Sequence, residues 1–195
     1  MLLKMSQKML RTIGLMSGTS LDGVDVALIE TDGRQVKALG PSGYRPYSPA
    51  ERSLLRRALT EAVHLPQRDA RPGVLAEAER AVTLAHAEAV AAFTAQNRMV
   101  PEEIDIVGFH GQTVLHRPER RLTVQIGDAA ALAKAIHIPV VHDFRAADVP
   151  PAGRARRSSR SIIGHWRNRS RGKGRSSSPI SAASPTSPIS MATTR

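Results

Sequence analysis

The residues best suited to chemistry form one short loop, Ser17-Gly18-Thr19-Ser20-Leu21-Asp22-Gly23, with Val24 and Asp25 just beyond it. Gly18 and Gly23 permit a backbone path in which successive N–H groups point into one concavity, an arrangement that suits phosphate oxygens. Thr19 and Ser20 add hydroxyl donors. A carboxylate such as Asp22 or Asp25 beside phosphates serves a magnesium ion, directly or through water. A tight β-hairpin turn selects the same residue types, so spacing alone leaves both readings open. The helix-leading P-loop is excluded, because no Gly-Lys-Ser/Thr follows.

Two further stretches offer polar groups after apolar runs. In Phe109-His110-Gly111-Gln112-Thr113, His110 and Gln112 could hydrogen-bond a sugar or orient a water, since ligands of open α/β sheets gather at strand ends. Taken alone, the stretch reads better as an ordinary loop whose His is satisfied by backbone. In Gln125-Ile126-Gly127-Asp128, Asp128 is either a site residue or a helix cap. Arg145, after His142-Asp143-Phe144, could pair with an anion or a buried carboxylate. His110, His116, His137 and His142 match no metal-binding spacing. With no Cys there is no disulfide framework, thiolate metal site or Cys nucleophile.

The elements that must hold these residues are readable from periodicity. Residues 12 to 31 read as two strands joined by the Gly/Ser/Thr loop, with Asp32-Gly33 as the next turn and Val36 to Tyr47 as a third strand. Ser48-Pro49-Ala50-Glu51 is a helix-start signature: a cap, a first-turn Pro and a Glu that closes the box. From Pro72 to Gln96, Val74, Ala78, Ala81, Val82, Ala85, Ala89, Ala92 and Phe93 recur at steps of three and four, predicting a helix packed on a sheet. Ile104 to Phe109, Leu122 to Ile126 and Ile138 to His142 read as strands, and Asp128 opens a helix through AAALAKAI. Strands alternating with helices predict an α/β architecture.

Charge divides the chain. The net charge is +11. All 17 acidic residues lie between Asp22 and Asp148, and the first 149 residues carry 18 of the 28 Lys and Arg. The 46 residues from Pro150 carry 10 basic residues, 11 Ser, 5 Pro and no acid. That composition cannot offset its own ordering entropy, so residues 150–195 are expected to be a disordered basic tail. Residues 1–11 are expected to form a flexible N-terminus, with Met5 and Met9 as alternative starts. Lys4, Lys8 and Arg11 interrupt the apolar run that a signal peptide needs, and no run is long enough to span a bilayer. A cytoplasmic location is the expectation.

Together, GLMSGTSLDGVDVAL, IDIVGFHGQTVLHRP, LTVQIGDAAALA and IPVVHDFRAADV resemble, in this order, the anhydro-N-acetylmuramic acid kinases, over residues 12–149. The resemblance implies an α/β fold: an incomplete first domain of the actin-like (sugar kinase/Hsp70/actin) ATPase class. It implies ATP as co-substrate with Mg2+, and opening of a 1,6-anhydro ring with phosphorylation at O6. The product would be N-acetylmuramic acid 6-phosphate, in cell-wall recycling. It implies that Gly18, Thr19, Ser20, Leu21, Asp22, Gly23, Val24 and Asp25 form the ATP-phosphate loop. Asp22 would serve magnesium indirectly, and His110, Gln112, Asp128 and Arg145 would line the substrate cleft. A homodimer is implied for the complete enzyme.

The tail departs from that pattern. Family members continue with a sequence like AGGQGAPLVPVYH. Codons permitted for residues 149–154, read two bases further on, spell PAGGQ, and those for RARRSSRSIIGHWR spell GAPLVPVYHRALA. Residues 176–193 can likewise be read as VVIPNIGGVANITYIDGD. The expectation is therefore a frameshifted tail, one base lost near the Val149 and Pro150 codons. The family's general-base Asp, in an FDTGPGN-like motif, does not occur in these 195 residues. The chain is expected to be catalytically inactive. The alternative is a basic arm that binds nucleic acid or another polyanion through counterion release; under the frameshift reading such binding is incidental.

Overall fold

The computed structural model describes residues 8–120 and 122–144. Arg145 and the 150–195 tail lie outside the described residues, as do residues 1–7 of the expected flexible N-terminus. Nine α-helices and strands follow in chain order among the described residues: β1 (Leu10–Ser17), β2 (Gly23–Thr31), β3 (Val36–Pro46), α1 (Pro49–Ala62), α2 (Leu75–Gln96), β4 (Ile106–Arg117), β5 (Leu122–Ile126), α3 (Ala129–Ile136) and β6 (Val140–His142). The first strand starts at Leu10, inside the stretch expected to be flexible. Arg11 there donates its backbone N–H to Asp105 Oδ2 at 2.9 Å, which ties the start of β1 to the start of β4.

The strands form one mixed sheet in the order β3-β2-β1-β4-β5, with β6 pairing β4. The β1–β2–β3 meander is antiparallel, because each connection is a short loop. The β1–β4 and β4–β6 pairs are parallel, which requires the crossovers that the intervening helices supply. Alternation carries one face inward: Ile13, Leu15 and Ser17 of β1 are buried, and so are Val24, Val26 and Leu28 of β2. Across the sheet these residues form rows. Leu28, Ile13, Val107 and Val140 make one; Val26, Leu15, Phe109 and His142 make the next. The third, nearest the Gly18 loop, is Val24, Ser17, Gln112 and Ile126. Two polar side chains occupy its centre.

The long helix packs as its periodicity predicts, with Leu75, Ala78, Val82, Ala85, Ala89 and Phe93 buried. Residues 72–74, expected as its first turn, precede it; α2 starts at Leu75, and Val74 is its cap. It lies against β2, β3, β4 and β5 and flanks both α1 and α3. Small alanines let the helix approach the sheet closely. The capping box at α1 is formed: Glu51 N–H donates to Ser48 Oγ at 3.2 Å, and Ser48 N–H to Glu51 Oε2 at 2.7 Å.

One expectation is corrected. The HGQT stretch was expected to follow a strand ending at Phe109, but β4 continues through it to Arg117. The reason is a bulge. Between Leu15↔Phe109 and Ser17↔Gln112, β1 advances two residues and β4 three, and Gly111 takes up the extra residue at φ 65°.

Candidate functional site

The Gly18 loop joins β1 to β2 at the edge of the third row. Thr19, Ser20 and Asp22 are exposed, whereas Leu21 is buried and turns inward with φ 53°. A branched residue in left-handed backbone is uncommon and persists only where its surroundings over-determine it. Here the Leu21 side chain is an apolar anchor, and its N–H closes a turn onto the Gly18 carbonyl at 3.2 Å. Among the described residues, the N–H groups of Thr19 and Ser20 meet no acceptor. Gly23 sits under β3: a Cβ there would lie 2.7 Å from the Tyr44 ring and against the Arg45 carbonyl. Glycine at this position is therefore a packing requirement.

Charge at the loop mouth is acidic. Asp22 Oδ1 accepts from Ser20 Oγ at 2.6 Å. The Tyr44 phenol opposite Asp25 is pushed up, first by partial burial and then by the Asp22 and Asp25 carboxylates, with Arg52 acting in the other direction. Two carboxylates beside the loop would repel a polyphosphate unless a cation neutralised them.

The four residues expected in the cleft have different placements. Gln112 is fully buried and bound to the loop: its Oε1 accepts from Ser17 Oγ, and its Nε2 donates to the Gly18 carbonyl at 3.3 Å. His110 is half-buried, with Nδ1 2.9 Å from the Gly111 carbonyl and Nε2 3.3 Å from Gln125 Nε2. Gln125 also donates to the His110 carbonyl at 2.6 Å, so the FHGQT and QIGD motifs meet across the sheet. Asp128 is exposed and caps α3, its Oδ1 accepting from the Ala130 and Ala131 N–H groups at 2.9 Å. Its own N–H donates to Thr83 Oγ1 at 2.9 Å, and Gly127 N–H donates to Glu79 Oε1 at 3.2 Å. Arg145 lies outside the described residues.

Sequence reasoning missed Tyr47, Glu79 and Thr83, side chains that hold these motifs from elsewhere in the chain, and gave Ser17 no role beyond its place in the loop. Their partners lie 30 to 95 positions away, and no local pattern signals such distances. Among the described residues, no group of three or more His, Cys, Asp and Glu could hold a metal ion by itself. No helix among them is long and apolar enough to cross a membrane.

The model of the family described as anhydro-N-acetylmuramic acid kinase matches residues 10–156. The chain belongs to that family. A protein of that name from Bradyrhizobium diazoefficiens is 84% identical over 145 residues, which cover 74% of this chain and 40% of that protein. One from Rhodopseudomonas palustris CGA009 is 79% identical over the same shares of each chain. One from Methylorubrum extorquens is 59% identical over 155 residues, 74% of this chain and 41% of that protein. The chain thus spans about 40% of the length of these relatives. Within this anhydro-N-acetylmuramic acid kinase segment, the mixed sheet with three helices is the α/β fold expected of an N-terminal sugar-kinase-like domain.

Proposed function

We propose that residues 10–144 supply the nucleotide-phosphate half of a sugar-kinase site, with Gly18 to Asp25 receiving the ATP phosphates. The supporting observation is the Gly18–Gly23 loop. It presents the free N–H groups of Thr19 and Ser20 beside two hydroxyls, and its two ends are tied to Tyr47, just past β3, and to Gln112 on β4. Asp22 would hold magnesium, directly or through water. The ion would neutralise charge on the transferred phosphoryl group, and the remaining ligands would come from phosphate and water. His110, Gln125 and Asp128 stand on the motifs that meet across β4 and β5, and their polar atoms suit hydroxyls of an amino sugar.

The reaction we assign to the whole enzyme is the ATP-dependent opening of 1,6-anhydro-N-acetylmuramic acid with phosphorylation at O6, in the cytoplasm, by a homodimer. Family membership supports this. In-line phosphoryl transfer works by positioning and charge stabilisation from both sides of a cleft. The 195-residue polypeptide contains no FDTGPGN-like motif to activate water. We therefore propose that this polypeptide alone binds magnesium-ATP weakly and does not turn over.

Calorimetric titration of the purified chain with magnesium-ATP, followed by assay with the anhydro-sugar, tests both parts. Binding without product is the expected result. Product formation would overturn the inactivity, and absence of binding would overturn the phosphate-loop assignment.

A further inference from the structure

Resting on the phosphate-loop reading, we infer that Tyr47, Ser17 and Gln112 are positioning residues that clamp the Gly18–Asp22 loop from both ends. Gln112 then acts through the loop and not as a ligand of the sugar. The hydrogen-bond directions follow from donor counting. Gln112 Oε1 can only accept, so Ser17 spends its single proton there. Tyr47 Oη, 2.9 Å from Ser17 Oγ, must then be the donor in that contact. The Gln112 amide in turn donates to the Gly18 carbonyl at 3.3 Å and to the Thr113 carbonyl at 3.3 Å. A one-way relay thus runs Tyr47 to Ser17 to Gln112 to the first carbonyl of the loop.

The same tyrosine holds the other end, for its backbone N–H donates to the Asp22 carbonyl at 2.9 Å. Tyr47 is 6% exposed, Ser17 2% and Gln112 0%, so no water replaces a lost partner without rearrangement. Burial also pushes the Tyr47 phenol up, which keeps it a protonated donor. Holding these two carbonyls fixes the path of the backbone between them, and with it the direction in which the Thr19 and Ser20 N–H groups point. Those are the groups a phosphate would meet.

The test uses the full 195-residue chain. Tyr47→Phe keeps the ring and the backbone N–H and removes only the hydroxyl. Ser17→Ala breaks the relay, and Ser17→Thr restores its hydroxyl. Val90→Ala makes a core defect away from the loop. Amide hydrogen exchange at Leu21, whose N–H closes the turn onto Gly18, and at position 47, whose N–H holds the Asp22 carbonyl, should accelerate about tenfold in Tyr47→Phe and Ser17→Ala, the loss expected for one buried hydrogen bond, and return towards wild type in Ser17→Thr. Val90→Ala should leave those amides unchanged even where global stability falls. Unaltered loop exchange in Tyr47→Phe and Ser17→Ala would overturn the clamp, and so would loop acceleration in Val90→Ala equal to theirs. Magnesium-ATP titration of the same proteins separates the two claims. Wild type that binds no ATP sinks the phosphate-loop reading, while exchange still decides the clamp.

Discussion

The His86 ring stands edge-on to Phe109, 4.9 Å between centroids, at the centre of the contact between α2 and β4. His86 is fully buried; its Nδ1 lies 2.7 Å from the Val82 carbonyl, and its Nε2 meets no partner among the described residues. Nδ1 therefore carries the proton and Nε2 is a bare lone pair in an apolar setting. Burial, reinforced by the His110 and Arg45 charges and opposed by the Val82 carbonyl, lowers the His86 pKa from 6.5 to about 4.

This depression makes stability depend on pH in a defined window. The unfolded chain takes up the proton first as pH falls, so the contribution is complete above about pH 6.5 and is lost towards pH 4. A shift of this size corresponds to roughly 3 kcal/mol. Urea midpoints measured between pH 7 and pH 4 should fall steeply in wild type. His86→Phe, an apolar ring of similar volume, should flatten that slope. Asp32 and Asp105 have lowered pKa values through hydrogen bonds with Gln35 N–H and Lys8 respectively, so their contributions are lost only at more acid pH.

Gly111 should not tolerate a side chain. Its φ of 65° is left-handed, and an added Cβ would lie 2.7 Å from the Ile126 carbonyl, part of the paired backbone of β5. Gly111→Ala is expected to cost about 2 kcal/mol or more, read as a lower urea midpoint with little change in slope. A midpoint equal to wild type would mean that the bulge relaxes freely.

Thr83 gives α2 its hold on the QIGD turn. Its Oγ1 donates to the Glu79 carbonyl at 2.7 Å and accepts from the Asp128 N–H at 2.9 Å. Thr83→Val keeps the shape and strands that N–H. The expected cost is about 1–3 kcal/mol, with faster exchange at Asp128 and along the first turn of α3. Protection at Asp128 that survives the substitution would argue against this role.

The α1 cap should behave as part of a network. Glu51 accepts from the Ser48 N–H and is held from the other side by Arg45, at 2.8 and 3.0 Å. Ser48→Ala should cost about 1 kcal/mol. Combining it with Arg45→Ala should cost less than the two changes summed, because the Ser48 hydroxyl and Arg45 hold the same residue, one at the Glu51 N–H and the other at its carboxylate. Strict additivity in a double-mutant cycle would show that cap and ion pair are independent.

Local pattern determined a great deal of this protein. The α1 capping box, the Asp128 cap, the α2 stripe, the β1–loop–β2 hairpin and the family itself are all written within short windows of residues. In each case the partners are a few positions apart or share one period. What no window contains is the choice of face for Gln112. Without the extra residue at Gly111, strand alternation would turn Gln112 to the opposite side of the sheet, and Gly111 would lie opposite Ser17. Only the pairing of β4 with both β1 and β5 imposes that bulge. It converts a polar residue expected in the cleft into a buried support of the loop. Tyr47 is likewise unremarkable in sequence, and becomes a clamp only because the β1–β2–β3 meander returns it to the start of β2. Residue types and their spacing specified which groups could meet phosphate. Register, which depends on contacts across about a hundred positions, decided which of them reach the surface and which hold the others in place.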